Sequence, residues 1–311
     1  MIVHNGFENL DLCSPVVTMG IFDGVHRGHR SLLDTLVLRA AQEKGDPVVI
    51  TFNPHPRLVL EKNHSGLSFL STITEKTKLL SEAGIGHLVI IEFNKSFSDI
   101  GACDFIQKVL VEKIKTRHLI IGYDHHFGAK GEGNFKTIKQ CAKSFNFTVE
   151  KVEGLNSAEG PVSSSSIREA LLKGRLEEAN NWLGYNYSIN GRIVEGKKIG
   201  RSLGYPTANI KPDYEYKLIP ADGVYAVMVR INEADLPGML SIGKNPTINS
   251  GDDSRTIEVN IFNFDKDVYG SSIKVTFRKR LRNEIRFGSI EQLVRQMNRD
   301  KEQAMIILGL E

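Results

Sequence analysis

Cysteine is scarce in this chain: Cys13, Cys103 and Cys141 are the three among 311 residues. They are odd in number, far apart and not spaced as metal ligands, so neither a disulfide framework nor a cysteine-based metal site is read from them. Long apolar runs are missing as well. No stretch approaches the ~18–20 apolar residues of a membrane span. Met1-Ile-Val-His-Asn-Gly6 shows neither the basic nor the apolar region of a secretory signal. The chain is therefore expected to be cytoplasmic and reduced, with no membrane partner. Charge of one sign is also lacking. The formal net charge is +3, and the small basic excess falls after residue 184, much of it in Arg278-Lys-Arg-Leu-Arg282. A nucleic-acid surface needs a more extended basic face, so no nucleic-acid partner is expected and that cluster reads as a solvated strand end.

What is present is enough for sizeable cores. Hydrophobic residues make up 41% of the chain and charged residues 25%, the balance of a soluble globular protein, and 311 residues suit about two domains. Residues 1–184 alternate strand-like and helix-like segments. Val16–Met19, Pro47–Phe52, Leu88–Ile91, His118–Ile121 and Phe147–Val149 read as strands. Leu32, Leu33, Leu36 and Ala40 share one helical face, and a further helix runs through Phe105, Val109 and Val111. Short helices are expected at Ser165–Lys173 and Leu176–Leu183. Such alternation predicts an α/β, doubly wound (Rossmann-like) domain with a parallel sheet. From residue 185 to 311 the pattern changes to strands at Tyr187–Val194, Gly223–Arg230, Ile257–Phe262 and Ile273–Phe277, separated by Gly, Pro, Asn and Asp turns. That predicts a small antiparallel β-barrel, closed by a C-terminal helix from Ile290.

Two unlike phosphate-handling signatures fall in these two contexts. The first, Gly20-Ile-Phe-Asp-Gly-Val-His-Arg-Gly-His29, lies between a strand and a helix. Gly20, Gly24 and Gly28 let the backbone approach a phosphate chain at a helix N-terminus. His26 and His29 can both face one phosphate and stabilise charge in nucleotidyl transfer. At the ends of later strands, Phe52-Asn-Pro-His-Pro56 could present His55, a plain proline turn being the equal alternative. Asp124, in Gly122-Tyr-Asp-His-His-Phe-Gly128, offers a carboxylate to a ribose or base. Ser163, Ser164 and Ser165 open a helix and can hold phosphates or simply cap it, and Arg168 can pair with pyrophosphate.

The second signature is strand-bound. Gly191, Gly196, Gly200 and Gly204 can wrap phosphates with backbone amides. Thr207 and Asn209, two residues apart on an extended segment, point the same way and present hard oxygens suited to Mg²⁺ shared with ATP. Glu258 faces away from apolar Ile257, Val259 and Ile261, either as a general base on a hydroxyl or as a solvated strand glutamate.

Over essentially its whole length the chain resembles the bifunctional bacterial riboflavin kinase/FMN adenylyltransferase (FAD synthetase) family. Its adenylyltransferase module carries Gly-x-Phe-Asp-Gly-Val-His-x-Gly-His, met at 20–29, Phe-x-Pro-His-Pro, met at 52–56, and Ser-Ser-Thr-x-Ile-Arg, met at 163–168 with Ser165 for threonine. His125 replaces an aromatic residue in the 122–128 element. The flavokinase signature Gly-Arg-x-Leu-Gly-x-Pro-Thr-Ala-Asn is complete at 200–209, and Ile242-Gly-x-x-Pro-Thr247 matches too, whereas Asn260 stands where histidine is frequent. The resemblance implies that Phe22, Asp23 and Arg201 join the ATP contacts and that Phe52, Pro54 and His55 meet the flavin. It further implies that Arg282, Glu284 and Phe287 close over flavin, that Thr207 and Asn209 bind Mg-ATP, and that Glu258 is the base. It implies ATP, riboflavin and FMN as substrates, FAD as product, and a monomer or weak homo-oligomer. A chain active in one module alone stays open, as does a flavin or nucleotide sensor, although a sensor has no need of His26, His29, Thr207, Asn209 and Glu258 together.

Overall fold

A computed structural model describes residues 1–123, 125–157, 160–196, 204–244 and 255–310. The chain divides into two compact units, Met1–Ser164 and Ser165–Glu311. In the first, strands β1 (Ile2–Asn5), β2 (Val16–Met19), β3 (Pro47–Asn53), β4 (His87–Glu92), β5 (His118–Gly122) and β6 (Thr148–Val152) form one sheet in the order β1-β4-β3-β2-β5-β6. Every pairing in it is parallel. The crossovers include helices α1 (Arg27–Glu43), α2 (Pro56–Leu60), α3 (Ile73–Glu82), α4 (Lys95–Ser98), α5 (Ala102–Phe105) and α6 (Phe135–Phe145). A π-helical stretch, Ile106–Val111, continues α5.

Successive strand residues point to opposite faces, and this splits the core in two. Val17, Met19, Val48, Ile50, Leu119 and Ile121 pack with Phe105, Ile106, Leu110 and Ile138 on one face. Val16, Val49, Leu88 and Ile120 pack with Leu32, Leu33, Leu36 and Leu80 on the other. Both faces are covered, so the strands read as continuous apolar runs. From β2 the chain steps to β3 and β4 on one side and to β5 and β6 on the other. The carboxyl ends of β2 and β5 are therefore the topological switch point where such sheets bind ligands.

The two-residue strands β7 (Asn156–Ser157) and β8 (Gly160–Pro161) precede α7 (Ser164–Leu172), with α8 (Leu176–Leu183) after it. In the second unit β9 (Ser188–Val194), β10 (Ala208–Pro212), β11 (Gly223–Ile231), β12 (Ala234–Lys244), β13 (Arg255–Ile261) and β14 (Ser272–Arg282) close an antiparallel barrel in the order β10-β13-β12-β11-β14-β9. Helix α9 (Ile290–Leu308) packs Met297, Ala304 and Met305 against Tyr205, Ala226, Met239 and Phe262. Its N-cap Ser289 accepts from the Gln292 N–H. Among the described residues no helix is long and apolar enough to cross a membrane.

Three strands escape the alternation rule. β1 is short and exposed, β10 starts two residues after Pro206, and β12 carries Pro237 and Gly238 within it, a pair that ordinarily argues against a strand interior. Gly238 is accommodated because the Asn260 carbonyl of β13 lies 2.6 Å from where its Cβ would stand. Leu33 is fully buried. Leu33→Ala should destabilise the first unit by about 2–5 kcal/mol, measured as a shift in its urea midpoint.

Candidate active sites

The turn after β2 is built from strained, buried backbone. Phe22 and Val25 hold φ of 51° and 36°, with Gly24 at 79° between them. Left-handed values are uncommon for bulky residues and persist only where packing over-determines them; Phe22 and Val25 are both core residues. The turn delivers His26 as N-cap of α1, its Nδ1 accepting from the His29 N–H at 3.3 Å. In a neutral ring that bond leaves the proton on Nε2. The His26 and His29 rings stack with centroids 3.7 Å apart, and Phe22 meets His29 edge-on at 5.1 Å. Gly28 is tightly enclosed: a Cβ there would stand 3.1 Å from His26 Cε1 and 3.3 Å from the Val162 carbonyl.

Buried electrostatics fix the turn. Asp23 accepts from the N–H groups of Leu70 (2.9 Å) and Ser71 (3.0 Å), and from the Ser71 hydroxyl at 3.3 Å. The Gly24 N–H returns to Ser71 Oγ at 2.9 Å, and the Ser164 hydroxyl donates to the Asp23 carbonyl at 2.8 Å. Asp23 and Ser164 thus anchor the turn. Lys76 of α3 is only 6% exposed, and its Nζ lies 3.4 Å from Thr51 Oγ1, whose hydroxyl donates to the Ile21 carbonyl. Burial pushes the Lys76 ammonium down to about 8 against the opposing pull of Asp23. Burial, then His26 and Lys76, hold His29 well below its ordinary 6.5, so His29 is a neutral imidazole at pH 7.

At the end of β3, His55 caps α2, accepting from the Arg57 N–H at 3.1 Å, and stacks on Phe69 at 4.1 Å. Phe52 begins a file of rings, through Phe97, Phe105 and Phe127, to His125, which lies 20° from parallel with Phe127. An imidazole therefore keeps a ring where the family has an aromatic residue. Arg168 belongs to the second unit, where its guanidinium donates to Ser165 Oγ at 3.2 Å. Asp124, Gly200 and Arg201 lie outside the described residues, as do Pro246 and Thr247.

In the barrel, Asn209 of β10 sits opposite Glu258 of β13, and the Thr207 hydroxyl donates to Glu258 Oε2 at 3.1 Å. Gly196 lies close beside them: a Cβ there would stand 1.8 Å from Asn209 Nδ2, so the amide would have to turn aside. Gly191 pairs with Pro212 of β10, and Gly204 turns the chain just before Thr207 at φ 80°. Asn260, in the position where the family favours histidine, donates to the Pro206 carbonyl at 2.8 Å and braces the segment that carries Thr207. At the register level of Glu258, reached across β12 and β11 through Ser241 and Val224, Arg282 is held by Asp300 of α9 at 2.7–3.0 Å, and Gln296 donates to the same carboxylate. The Arg282 guanidinium lies over Phe287 at 5.8 Å, and the Glu284 carboxylate lies against the bare Cα of Gly243.

Lys76 and Asp300 are not apparent from motifs. For Lys76 a signal existed: Ile73, Lys76 and Leu80 follow the i, i+3, i+7 rule, so the lysine occupies a slot that asks for an apolar residue.

A switch-point phosphate turn on a parallel sheet, joined to a barrel with its own hydroxyl, amide and carboxylate cluster, defines a two-site phosphotransfer protein. Residues 9–166 match the family model for FAD synthetase, and residues 183–308 that for riboflavin kinase. The chain is 35% identical to the bifunctional riboflavin kinase/FMN adenylyltransferase of Listeria monocytogenes, over 92% of this chain and 90% of the relative. It is 34% identical to that of Escherichia coli K12 over 95% and 93%. It is 38% identical to that of Buchnera aphidicola over 97% of both. A crystal structure described as a macrolide-efflux protein from Streptococcus pneumoniae aligns with a TM-score of 0.87 at 32% identity, covering 97% of each chain. The chain belongs to the bifunctional riboflavin kinase/FMN adenylyltransferase family.

The depressed Lys76 carries a testable sign. Below pH 8 the native state holds a buried ammonium that the unfolded state solvates. As pH rises from about 8 to 10.5 the native lysine is neutral while the unfolded one still binds a proton, so stability increases. Lys76→Met should therefore stabilise the first unit at pH 7, by up to ~3 kcal/mol, with the gain vanishing between pH 8 and 10.5. Urea unfolding across that range is the check.

Proposed function

We propose that the two sites act in sequence on one flavin, with Glu258, Thr207 and Asn209 serving the kinase and His26, His29 and Arg168 the adenylyltransferase. The chain is a bifunctional enzyme of FAD biosynthesis. Riboflavin and ATP give FMN and ADP; FMN and a second ATP give FAD and pyrophosphate. The kinase chemistry is assigned to residues 185–311 and the nucleotidyl transfer to residues 1–184.

The observation that carries the kinase assignment is the hydrogen bond between Thr207 and Glu258, 51 residues apart in sequence. It puts a carboxylate beside the groups proposed to hold the nucleotide. Glu258 takes the proton of the ribityl 5′-hydroxyl as that oxygen attacks the γ-phosphorus. Thr207 and Asn209 supply a hydroxyl and an amide oxygen, a donor set that fits Mg²⁺, and their closeness to Glu258 is consistent with it. Among the described residues no cluster of three His, Cys, Asp or Glu side chains is present for a metal. Phosphate oxygens and water would complete such a shell. Bound there, Mg²⁺ would neutralise charge on the ATP phosphates. Gly191, Gly196, Gly200, Arg201 and Gly204 are assigned to phosphate binding. Arg282, Glu284 and Phe287 are assigned to the flavin, with Asp300 keeping Arg282 oriented.

In the adenylyltransferase, the FMN phosphate attacks the α-phosphorus and pyrophosphate leaves. His26 with Nε2–H, and the neutral His29 behind it, are placed to donate to the charge that develops on the α-phosphate oxygens. Gly20, Phe22, Gly24, Gly28 and Ser163–Ser165 line the phosphate turn, with Asp23 as its internal strut. Asp124 is assigned to the ribose. Phe52, Pro54 and His55 are assigned to the flavin side, supported by the flat stack of His55 on Phe69.

Glu258→Gln should lower FMN formation from riboflavin by about 10²–10⁴-fold while FAD formation from supplied FMN continues. His29→Ala should do the opposite, letting FMN accumulate. A chromatographic time course with ATP and Mg²⁺, started from riboflavin or from FMN, separates the two. Equal loss of both products in either variant would overturn the division of roles.

A further inference from the structure

Two of the three cysteines, 38 residues apart in sequence, meet in space. Cys103 of α5 and Cys141 of α6 place their sulfurs 3.8 Å apart at the surface of the first unit. Cys103 is exposed and Cys141 half-buried, its flank packed on the core. Both thiols are free, and the gap to a bonded S–S distance of about 2.0 Å is within reach of side-chain rotation and slight helix adjustment.

What the pair would join gives it meaning. The segment after β5 leaves the switch point at Gly122 and is seated on the start of α5 before it enters α6. The Ala129 N–H donates to the Ile100 carbonyl at 2.9 Å, and Glu132 accepts from the Ala102 N–H at 2.9 Å. A Cβ on Gly128 or Gly133 would stand 2.8 Å from Ala102, and Phe127 packs on Phe105 at 5.7 Å. Asn134 then caps α6. The two helices are thus the two footings of the segment 125–134, and each carries one cysteine.

We propose that Cys103 and Cys141 are an oxidant-sensitive dithiol whose disulfide fastens the segment 125–134 and slows the nucleotidyl transfer at the switch point. The oxidant is a hydroperoxide. The exposed Cys103 thiolate attacks one oxygen of hydrogen peroxide, the O–O bond breaks, and Cys103 becomes a sulfenic acid while hydroxide leaves and takes up the proton the thiol had lost, giving water. The Cys141 sulfur displaces the hydroxyl of that sulfenic acid, forming the S–S bond and releasing a second water. The two sulfurs together lose two electrons, and the peroxide gains them. A dithiol reverses the step by exchange. Burial and the neighbouring Cys103 push the Cys141 thiol up, so the more exposed Cys103 is the sulfur that meets the peroxide first. Cys13 is exposed and apart from the pair, its N–H donating to Asp46, and serves as an internal control.

The activity arm rests on the proposed adenylyl transfer; the thiol arm does not. The full-length protein is treated with hydrogen peroxide and quenched. Intact mass should fall by about 2 Da, two of the three thiols should be lost together, and a peptide joining 103 to 141 should appear. Amide exchange over 125–134 should slow, and FAD formation from supplied FMN should fall, all restored by dithiothreitol. FMN formation from riboflavin should hold. Cys141→Ser and Cys103→Ser should each lose the linkage and the sensitivity, whereas Cys13→Ser should keep both. Absence of the linked peptide, inhibition that persists in Cys141→Ser, or equal inhibition of the kinase would each overturn the proposal. If reduced wild type made no FAD, the functional assignment would fail, and the mass and exchange readouts would still decide the thiol pair.

Discussion

One buried carboxylate holds the first site together. Asp23 gathers the Leu70 and Ser71 N–H groups and the Ser71 hydroxyl. Its own carbonyl receives Ser164, and its neighbour Gly24 closes back on Ser71. Segments separated by more than forty and more than a hundred residues are thereby pinned to one strained turn. Burying an ionised carboxylate is unfavourable unless its lone pairs are filled, and here backbone donors fill them. The left-handed Phe22 and Val25, the stacked histidines and the enclosed Gly28 all lie within this frame. The Lys76 ammonium, buried near the same carboxylate, helps keep His29 uncharged. The site is thus pre-organised before any nucleotide arrives, which is where electrostatic stabilisation of a transition state gains most.

The barrel reaches a comparable end differently. Its frame is the ladder itself: β10 and β13 place Asn209 opposite Glu258, and the pleat decides which side chains share that face. Close backbone approaches need glycine, as at Gly191 against the Lys211 carbonyl and Gly238 against the Asn260 carbonyl. Arg282 gets its orientation from outside the barrel, through Asp300, 2% exposed on α9. The residues proposed for the kinase thus depend on strand register, and those proposed for the adenylyltransferase on loop anchoring.

Much of this was legible in the sequence, and the exceptions have physical reasons. The four central strands of the sheet, β2 to β5, showed as apolar runs, because burial on both faces demands them. The turn after β2 showed because its positive φ at Gly24 and the tight surroundings of Gly28 restrict residue type. β12 was hidden by Pro237 and Gly238, whose fit depends on the neighbouring Asn260 carbonyl, a tertiary fact. Asp23 read as a ligand residue, and its anchoring partners at 70–71 carry no signature because they donate through backbone. Asn260 stood out as a departure from the family, while its bond to Pro206 was invisible. Cys103 and Cys141 looked unrelated because helix packing, not spacing, brings them together.

The two units also differ in how they end laterally. A closed barrel has no unpaired strand, so all six of its strands spend their backbone groups internally. The open sheet has two borders, β1 and β6. β6 carries Glu150 and Lys151, and Arg39 engages Glu150; charges of this kind discourage pairing with another chain. β1 offers Ile2 and Val3, 57% and 42% exposed, with no such guard. Strand-to-strand association between copies, as in the first steps of aggregation, is therefore favoured along β1 and disfavoured anywhere on the barrel wall.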